Sequence, residues 1–321
     1  MVYETFLETI TEQLQNALGE EFEFTLRPLP KNNGVTLDGL TIQSPASPLA
    51  PTIYLNPYYQ HYLQGLEIDA IVRDILELYR STPLSSTVAI QDLDSFPALE
   101  KKIMFRIIHS SSNQVLLSDV PHISYLDLSI IFFLALERTC AGQMTALIHN
   151  HHAARWQVSA KELWSLAQKN TPLKYPAQIR TMTEMMTGYD WGAEDNSFSS
   201  GSFDLLLQDN ANELPLYVMT NQSGLYGASC MLYQNVLQDF AARIQQDLII
   251  LPSSVHEILL TPDSPNASYE ELSRMVTSIN RQDVPLEDQL SNQVYRYTRC
   301  DDCIRIMSHG TERLQGQSHL S

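Results

Sequence analysis

The chain has 321 residues, of which 44% are hydrophobic, and a formal net charge of −17 at pH 7. A chain of this length can bury a sizeable core without disulfide or metal staples, and its 12 glycines and 16 prolines exclude a collagen-like or low-complexity chain. The negative charge repels phosphate backbones, so direct nucleic-acid binding through a broad basic face is not expected.

The sequence shows no signal for export or for membrane insertion. Its first residues, MVYETFLETITEQL, carry acids where a secretory signal carries Lys or Arg. The longest mostly apolar run, 128–136, is far shorter than the roughly 20 residues of a membrane span. Four cysteines are too few for a disulfide scaffold of this size. We therefore expect a soluble, cytoplasmic protein with reduced thiols and no membrane partner.

Residues 1–82 are predicted to form an N-terminal helix-hairpin-helix lobe of α/β type. Its elements, in chain order, are a helix over 4–18, strands over 22–29, 34–43 and 52–55, a helix from 56 to 65 and a helix over 68–80. The Asn33-Gly34 pair tolerates positive φ and predicts a hairpin turn. Asn56 is predicted as the N-cap of the second helix, with Pro57 at its first position.

Residues 83–307 are predicted to form the main α+β domain, with a hinge at 81–86, an insertion at 187–213 and a disordered tail over 308–321. Its elements, in chain order, are core strands within 123–136 and 144–148, a helix over 160–169, strands over 214–219 and 228–232, a helix over 235–244, strands over 247–251 and 257–260, a helix over 269–280 and a strand over 294–298. Ser159 and Glu162 match a capping box. Strands and helices mix without a βαβ repeat, so we predict an α+β fold with a mostly antiparallel mixed sheet and helices packed on it.

Four strings occur together in an order that resembles a known family. They are SDVPHISYLDLSIIFFLAL (118–136), ALIHNHHAARWQVSAKELWSLAQKNTP (146–172), LYVMTNQSGLYGASCMLYQNVLQDFA (216–241) and DLIILPSSVHEILLTP (247–262). This set resembles the uncharacterised bacterial domain of unknown function 5688 family over roughly residues 50–300. The stretch 187–213 departs from the family pattern and is interpreted as a local insertion. The resemblance implies a cytoplasmic bacterial protein and supplies no reaction.

The segment Ser253-Ser254-Val255-His256-Glu257 follows a predicted buried strand and carries the candidate catalytic residues His256, Ser254 and Glu257. On an extended chain Ser254 and His256 point to one face. A serine nucleophile needs a base within hydrogen-bond reach and a third group that orients this base. Glu257 or a more distant carboxylate could orient the ring. A polar strand end whose hydroxyls bond the backbone remains the alternative interpretation.

Four further residues are candidate binding residues: His152, Asn221, Tyr58 and Tyr59. His152 belongs to His149-Asn150-His151-His152, where surface or capping roles are the alternative to ligand binding, because no fourth metal ligand lies nearby. Tyr58 and Tyr59 belong to a tyrosine cluster whose side chains suit an interface but also a core.

No metal site or cofactor is predicted. Cys300 and Cys303 are only half of a zinc site, and the chain contains no second Cys pair. No glycine-rich phosphate loop or dinucleotide fingerprint is present, so nucleotide-dependent chemistry is not supported.

The charge is unevenly distributed. Residues 181–271 carry thirteen Asp and Glu against one basic residue, Arg243, which gives −12 for this stretch. We therefore predict a non-enzymatic interaction or regulatory protein that acts through an acidic surface and binds a basic protein partner. The alternative is a hydrolase that uses His256 as acid or base together with Ser254.

Overall fold

The computed structural model describes residues 1–45, 50, 52–81, 95–139, 142–186, 215–265, 267–308 and 311–312. The predicted insertion at 187–213, the hinge beyond Ser81 and most of the predicted tail lie outside these residues.

The described helices and strands follow one another without a repeating unit. The helices are α1 (Tyr3–Leu18), α2 (Leu55–Leu63), α3 (Ile68–Ser81), α4 (Phe96–Leu99), α5 (Gln114–Asp119), α6 (Asn150–Trp156), α7 (Ala160–Lys174), α8 (Met182–Met186), α9 (Val236–Ile244) and α10 (Tyr269–Gln282). The strands are β1 (Glu23–Pro30), β2 (Thr36–Gln43), β3 (Thr52–Tyr54), β4 (Ile103–His109), β5 (His122–Tyr125), β6 (Leu128–Thr139), β7 (Gly142–Leu147), β8 (Ala177–Thr181), β9 (Tyr217–Asn221), β10 (Leu248–Leu251), β11 (Ile258–Pro262), β12 (Val294–Thr298), β13 (Cys303–Ser308) and β14 (Thr311–Glu312).

The strands form three sheets, in the orders β1-β2-β3, β14-β13-β12-β10-β11-β9-β8 and β4-β6-β5, and β7 pairs with β6. In the first two sheets every neighbouring pair is antiparallel. The prediction of an α+β fold with mostly antiparallel sheets is therefore confirmed.

The chain divides into two compact units. One comprises Met1–Lys102 with Leu134–Leu147, and the other comprises Ile103–Phe133 with Ile148–Ser321. Within the described ranges, every helix is too short or too polar to traverse a lipid bilayer.

The first unit is built on an amphipathic helix and a hairpin, as predicted. Phe6, Ile10 and Leu14 recur every four residues on α1 and are fully buried, because side chains at this spacing share one helix face. They pack in one core with Ile71 and Ile75 of α3. The turn between β1 and β2 places Asn33 at φ 57° and Gly34 at φ 74°, the conformation that an Asn-Gly pair favours.

In the second unit, α10 packs against the seven-stranded sheet. Val276 of α10 is buried with Ile249 of β10, Leu259 of β11 and Val294 of β12. The capping box at the start of α7 is confirmed. Ser159 Oγ accepts a hydrogen bond from the Glu162 backbone N–H, and the Ser159 backbone N–H donates to the Glu162 carboxylate.

Two local predictions are wrong, and some elements were not predicted. The second helix begins at Leu55, and Asn56 does not cap it, because its Oδ1 accepts a hydrogen bond from the Asp38 backbone N–H at 2.7 Å. Residues 228–232 form no strand but part of a 3-10 helix, Gly227–Leu232. The strand β13 was not predicted, although it pairs with β12 along its length.

Candidate functional site

The segment that carries the predicted catalytic residues connects β10 to β11, and a second segment holds it in place. The Val255 N–H donates to the Asp288 carbonyl at 2.8 Å, and the Leu290 N–H donates to the Ser253 carbonyl at 2.9 Å. Ser254 forms an antiparallel bridge with Gln289. These backbone bonds bring Asp288 beside His256, although 32 positions of sequence separate the two residues.

The His256 imidazole has protein partners at both nitrogens. Its Nε2 lies 3.2 Å from Asp288 Oδ1, and each of these two side chains is 32% exposed. Its Nδ1 lies 3.3 Å from the Gly224 carbonyl oxygen and 3.4 Å from the Tyr226 backbone nitrogen. The Tyr226 ring stacks on the imidazole at a centroid distance of 5.9 Å and an interplanar angle of 12°.

These partners suit both protonation states of the ring. In the neutral ring with Nε2–H directed at Asp288, Nδ1 can accept from the Tyr226 N–H; in the charged ring, Nδ1–H can donate to the Gly224 carbonyl. Burial lowers the pKa of His256, but the hydrogen bond and charge of Asp288, the charge of Glu257 and the Gly224 carbonyl outweigh this effect, and the net pKa is raised. The surroundings of His256 therefore stabilise the protonated form of its imidazole.

Ser254 and Glu257 share the segment of His256 without forming a nucleophile and base pair. The Ser254 side chain is buried, and its Oγ accepts a hydrogen bond from the His256 backbone N–H at 3.0 Å. Burial raises the pKa of Glu257, and its attraction to His256 and its hydrogen bond with Ser254 reduce this rise. Among the described residues, Asp288 rather than Glu257 is the carboxylate that contacts the ring.

Asn221 shapes the turn that faces His256. Its side chain is almost fully buried, and its Nδ2 donates to the Leu225 carbonyl at 2.8 Å. Its Oδ1 accepts from the Ser223 backbone N–H at 2.9 Å and from the Ser223 hydroxyl at 2.8 Å. All of these bonds lie within the turn, so Asn221 positions Gly224 and Tyr226, and it presents no amide group to solvent.

Tyr226 links this turn to the strands β4 and β6. It adopts a left-handed backbone conformation, φ 54°. The Arg106 guanidinium lies 4.4 Å from the centroid of the Tyr226 ring, and Phe133 packs edge-on against the same ring at 5.5 Å. Arg106, Tyr226 and Asp288 were not identified from the sequence as members of this site. No local motif connects them, because they lie far apart in the sequence.

His152 lies in a different group of side chains. The His149 backbone N–H donates to His152 Nδ1 at 3.0 Å, and this bond completes a capping box at the start of α6. The His149 Nδ1 lies 2.7 Å from Asp119 Oδ2, and the His151 and His152 rings are 3.9 Å apart. No contact among the described residues joins His152 to Ser254, His256 or Glu257.

The predicted binding residues Tyr58 and Tyr59 belong to the first unit, on α2. Tyr59 packs edge-on against Tyr3 at 4.8 Å and against Phe6 at 5.2 Å, and it stacks on Tyr62 at 6.1 Å. These tyrosines are half-buried, and Leu63 at the end of the same helix is 58% exposed. Each ring therefore rests on the core of the first unit with part of its surface in solvent.

The α1 helix carries an acidic stripe. Glu4, Glu8 and Glu12 follow one another at intervals of four, and all three are exposed. The helix contains no Lys or Arg, and across residues 1–81 eleven Asp and Glu stand against four Lys and Arg. None of the described acids of this region forms a salt bridge. We call the stripe Glu4, Glu8 and Glu12 of α1, taken together with Tyr59 and Tyr62 of α2, the α1–α2 surface.

The acids of residues 181–271 are arranged differently. Six of the thirteen lie outside the described residues, between 187 and 214. Of the others, Asp247 and Asp263 both bind Arg296, at 3.4 and 2.8 Å, and Glu257 is attracted to His256. The described part of this stretch therefore uses much of its negative charge internally.

Within the described part of the chain, no group of three or more His, Cys, Asp and Glu side chains is arranged to hold a metal ion. The described cysteines Cys230, Cys300 and Cys303 are free thiols.

A family model described as a family of unknown function, DUF5688, matches residues 3–299. The match confirms the resemblance and extends it to the N-terminal unit, well before residue 50. No curated protein and no solved structure matches the chain.

Proposed function

We propose that this chain, which belongs to the DUF5688 family of unknown function, is an interaction protein that binds a basic protein partner through the α1–α2 surface. The observation that carries the proposal is the run Glu4, Glu8, Glu12 on a helix without any cation. Like charges four residues apart on a helix cost about 0.2–0.5 kcal/mol per pair. Because these repulsions destabilise α1, we attribute the run of three glutamates to the binding of a partner rather than to the stability of the helix.

Tyr59 and Tyr62 of α2 supply the second element of the proposed binding surface. Tyrosine combines a large apolar ring with a polar tip, loses little side-chain entropy on binding and is enriched at the centre of interfaces. Tyr59 and Tyr62 are held by Tyr3 and Phe6, so little ordering is needed on binding. Arginine side chains of a partner can stack on such rings and also reach the carboxylates.

The geometry around His256 supports this function over the hydrolase alternative. Both ring nitrogens face protein atoms, and the Ser254 hydroxyl is engaged by a backbone N–H. A serine nucleophile needs its hydroxyl within reach of the base. The His256 group supports a structural or regulatory role for this loop.

The proposal includes a bacterial cytoplasmic location, which the free thiols Cys230, Cys300 and Cys303 support.

The test is affinity capture from lysate with quantified proteins. The wild type is compared with a variant carrying Glu4→Gln, Glu8→Gln and Glu12→Gln, at about 0.1 M salt, where the Debye length is about 10 Å, and at 1 M salt, where it is about 3 Å. We expect a Lys- and Arg-rich protein that the wild type retains at low salt, and that both high salt and the triple substitution release.

The matched control removes three exposed acids from the second unit, by Asp239→Asn, Glu270→Gln and Glu271→Gln. This control variant should still capture the partner if the α1–α2 surface is the docking site. Release by this control but not by the α1 variant would place the docking surface within 181–271 and would overturn the proposal.

A further inference from the structure

A third His–Asp group lies at the turn between β5 and β6, outside the features described so far. Asp127 occupies this turn and receives two short hydrogen bonds: the Tyr295 hydroxyl donates to its Oδ1 at 2.6 Å, and the Ser291 hydroxyl donates to its Oδ2 at 2.6 Å. Burial, followed by the charge and hydrogen bond of Asp127, raises the pKa of Tyr295 well above its usual value, so this phenol stays a donor. The carboxylate is thereby fixed in one orientation.

His109, at the end of β4, lies between this carboxylate and a serine hydroxyl. Its Nε2 is 3.9 Å from Asp127 Oδ2, and its Nδ1 is 2.8 Å from Ser112 Oγ. In the neutral ring with Nε2–H directed at the carboxylate, the Nδ1 lone pair accepts the Ser112 proton. The imidazole is partly exposed and Ser112 is exposed, so a solute can reach the hydroxyl.

We propose that Ser112 is a nucleophile that His109 activates, and that the site cleaves small esters with a short apolar acyl group. A nucleophile within reach of a base, with a charged group on the other side of the base, is the arrangement that serine-dependent acyl transfer requires. The 3.9 Å separation between His109 and Asp127 is long for a hydrogen bond, but such contacts often tighten only when substrate binds. The side chain of Val115, three positions further along the chain and 87% exposed, is the apolar group that we assign to the acyl group.

The reaction balances with water as the only co-reactant. Ser112 Oγ forms a bond to the ester carbonyl carbon as its proton passes to His109 Nδ1. The alkoxide then leaves and takes that proton as the alcohol. Water, deprotonated by the same nitrogen, attacks the acyl-serine, and the Ser112 hydroxyl is restored as the carboxylic acid departs. The activity is independent of partner binding by the α1–α2 surface, so either proposal can fail alone.

The test is labelling of the full chain with a reporter-tagged fluorophosphonate. In this reaction Ser112 Oγ bonds to phosphorus, fluoride leaves and the proton passes to His109. We expect one adduct per chain, mapped to Ser112 by peptide mass spectrometry, and hydrolysis of p-nitrophenyl acetate that the adduct blocks. Ser112→Ala should abolish labelling, and His109→Gln should slow it about 10²–10⁴-fold.

Ser118→Ala is the matched control, because Ser118 is also exposed and its hydroxyl donates to the Val115 carbonyl rather than to His109. This variant should label at the wild-type rate, and urea unfolding should show that all three variants are folded. A wild type that takes up no probe, or labelling that persists in Ser112→Ala, would overturn the proposal.

Discussion

His256 Nε2 lies 3.2 Å from Asp288 Oδ1, and each of the two side chains keeps about a third of its surface in solvent. The contact joins two segments that also pair through backbone hydrogen bonds at Val255 and Leu290. The ion pair between His256 and Asp288 therefore stabilises the contact between these two segments, and this stabilisation depends on pH.

Asp288→Asn should lower stability more at pH 6 than at pH 9. Because the folded pKa of His256 is raised above the unfolded value of about 6.5, the stabilisation is fully present below that value and is lost as pH rises through the folded pKa. We expect a loss of about 1 kcal/mol at pH 6 for this partly exposed pair. Urea unfolding at both values measures it, with Asp239→Asn as an exposed control. A loss that grows with pH would contradict this interpretation.

The opposite pH dependence is expected at α6. Burial, followed by repulsion from His151 and His149, lowers the pKa of His152, and protonation removes the Nδ1 acceptor that receives the His149 N–H. This stabilisation is present above the unfolded pKa of about 6.5 and is lost as pH falls through the folded value.

His152→Gln should make the protein less sensitive to acid, because Gln at this capping-box position accepts the same N–H without titrating. Urea midpoints between pH 7.5 and pH 5 measure the effect, and His122→Gln, at an exposed histidine that does not contact His152, serves as control. Equal loss of stability in the wild type and His152→Gln would show that the cap is not the acid-sensitive element.

Gly227→Ala should destabilise the second unit strongly. A Cβ at this position would overlap Thr220 Oγ1 and the His256 carbonyl oxygen, and overpacking of this kind typically costs about 1–3 kcal/mol. At Gly39 an added Cβ would meet the movable side-chain ends of Leu29 and Thr52, so Gly39→Ala should cost less. Chemical unfolding ranks the two variants, and the reverse ranking would contradict the close approach at Gly227.

Glu8→Gln should raise stability and weaken partner binding at the same time. The substitution removes two like-charge pairs, with Glu4 and with Glu12, which is worth about 0.4–1 kcal/mol. Thermal unfolding at low salt measures the gain, and it should shrink at 1 M salt. An unchanged or lower melting temperature would show that repulsion between the three glutamates does not destabilise α1.

The sequence predicted correctly those elements whose packing and hydrogen bonds involve residues only a few positions apart. The four-residue apolar period of α1 and the capping box at Ser159 and Glu162 correspond to buried faces and hydrogen bonds within a few residues. The run at 228–232 is apolar like a strand, but it forms a 3-10 helix whose first residue, Gly227, packs against the His256 carbonyl. A contact with a residue so far along the chain has no local signal.

The same reason separates the predicted from the unpredicted site residues. His256, Ser254 and Glu257 were found because they are neighbours in sequence, whereas Asp288 lies 32 positions away. Asp127 and Tyr295 are 168 positions apart and belong to different sheets, so only the tertiary fold brings them together. A single sequence therefore does not show that Asp288 contacts His256 or that Asp127 contacts Tyr295.

Site-specific photo-crosslinking tests the central claim, that the α1–α2 surface docks a basic partner, most directly. A photoreactive amino acid replaces the exposed Thr5 of α1 in one protein and the exposed Ser278 of α10 in another. Both proteins are irradiated in lysate at about 0.1 M salt, where exposed charges still act over about 10 Å. We predict a crosslink from position 5 to a Lys- and Arg-rich protein, absent from position 278 and lost with Glu8→Gln and Glu12→Gln. Equal crosslinking from both positions, or none from position 5, would contradict the account.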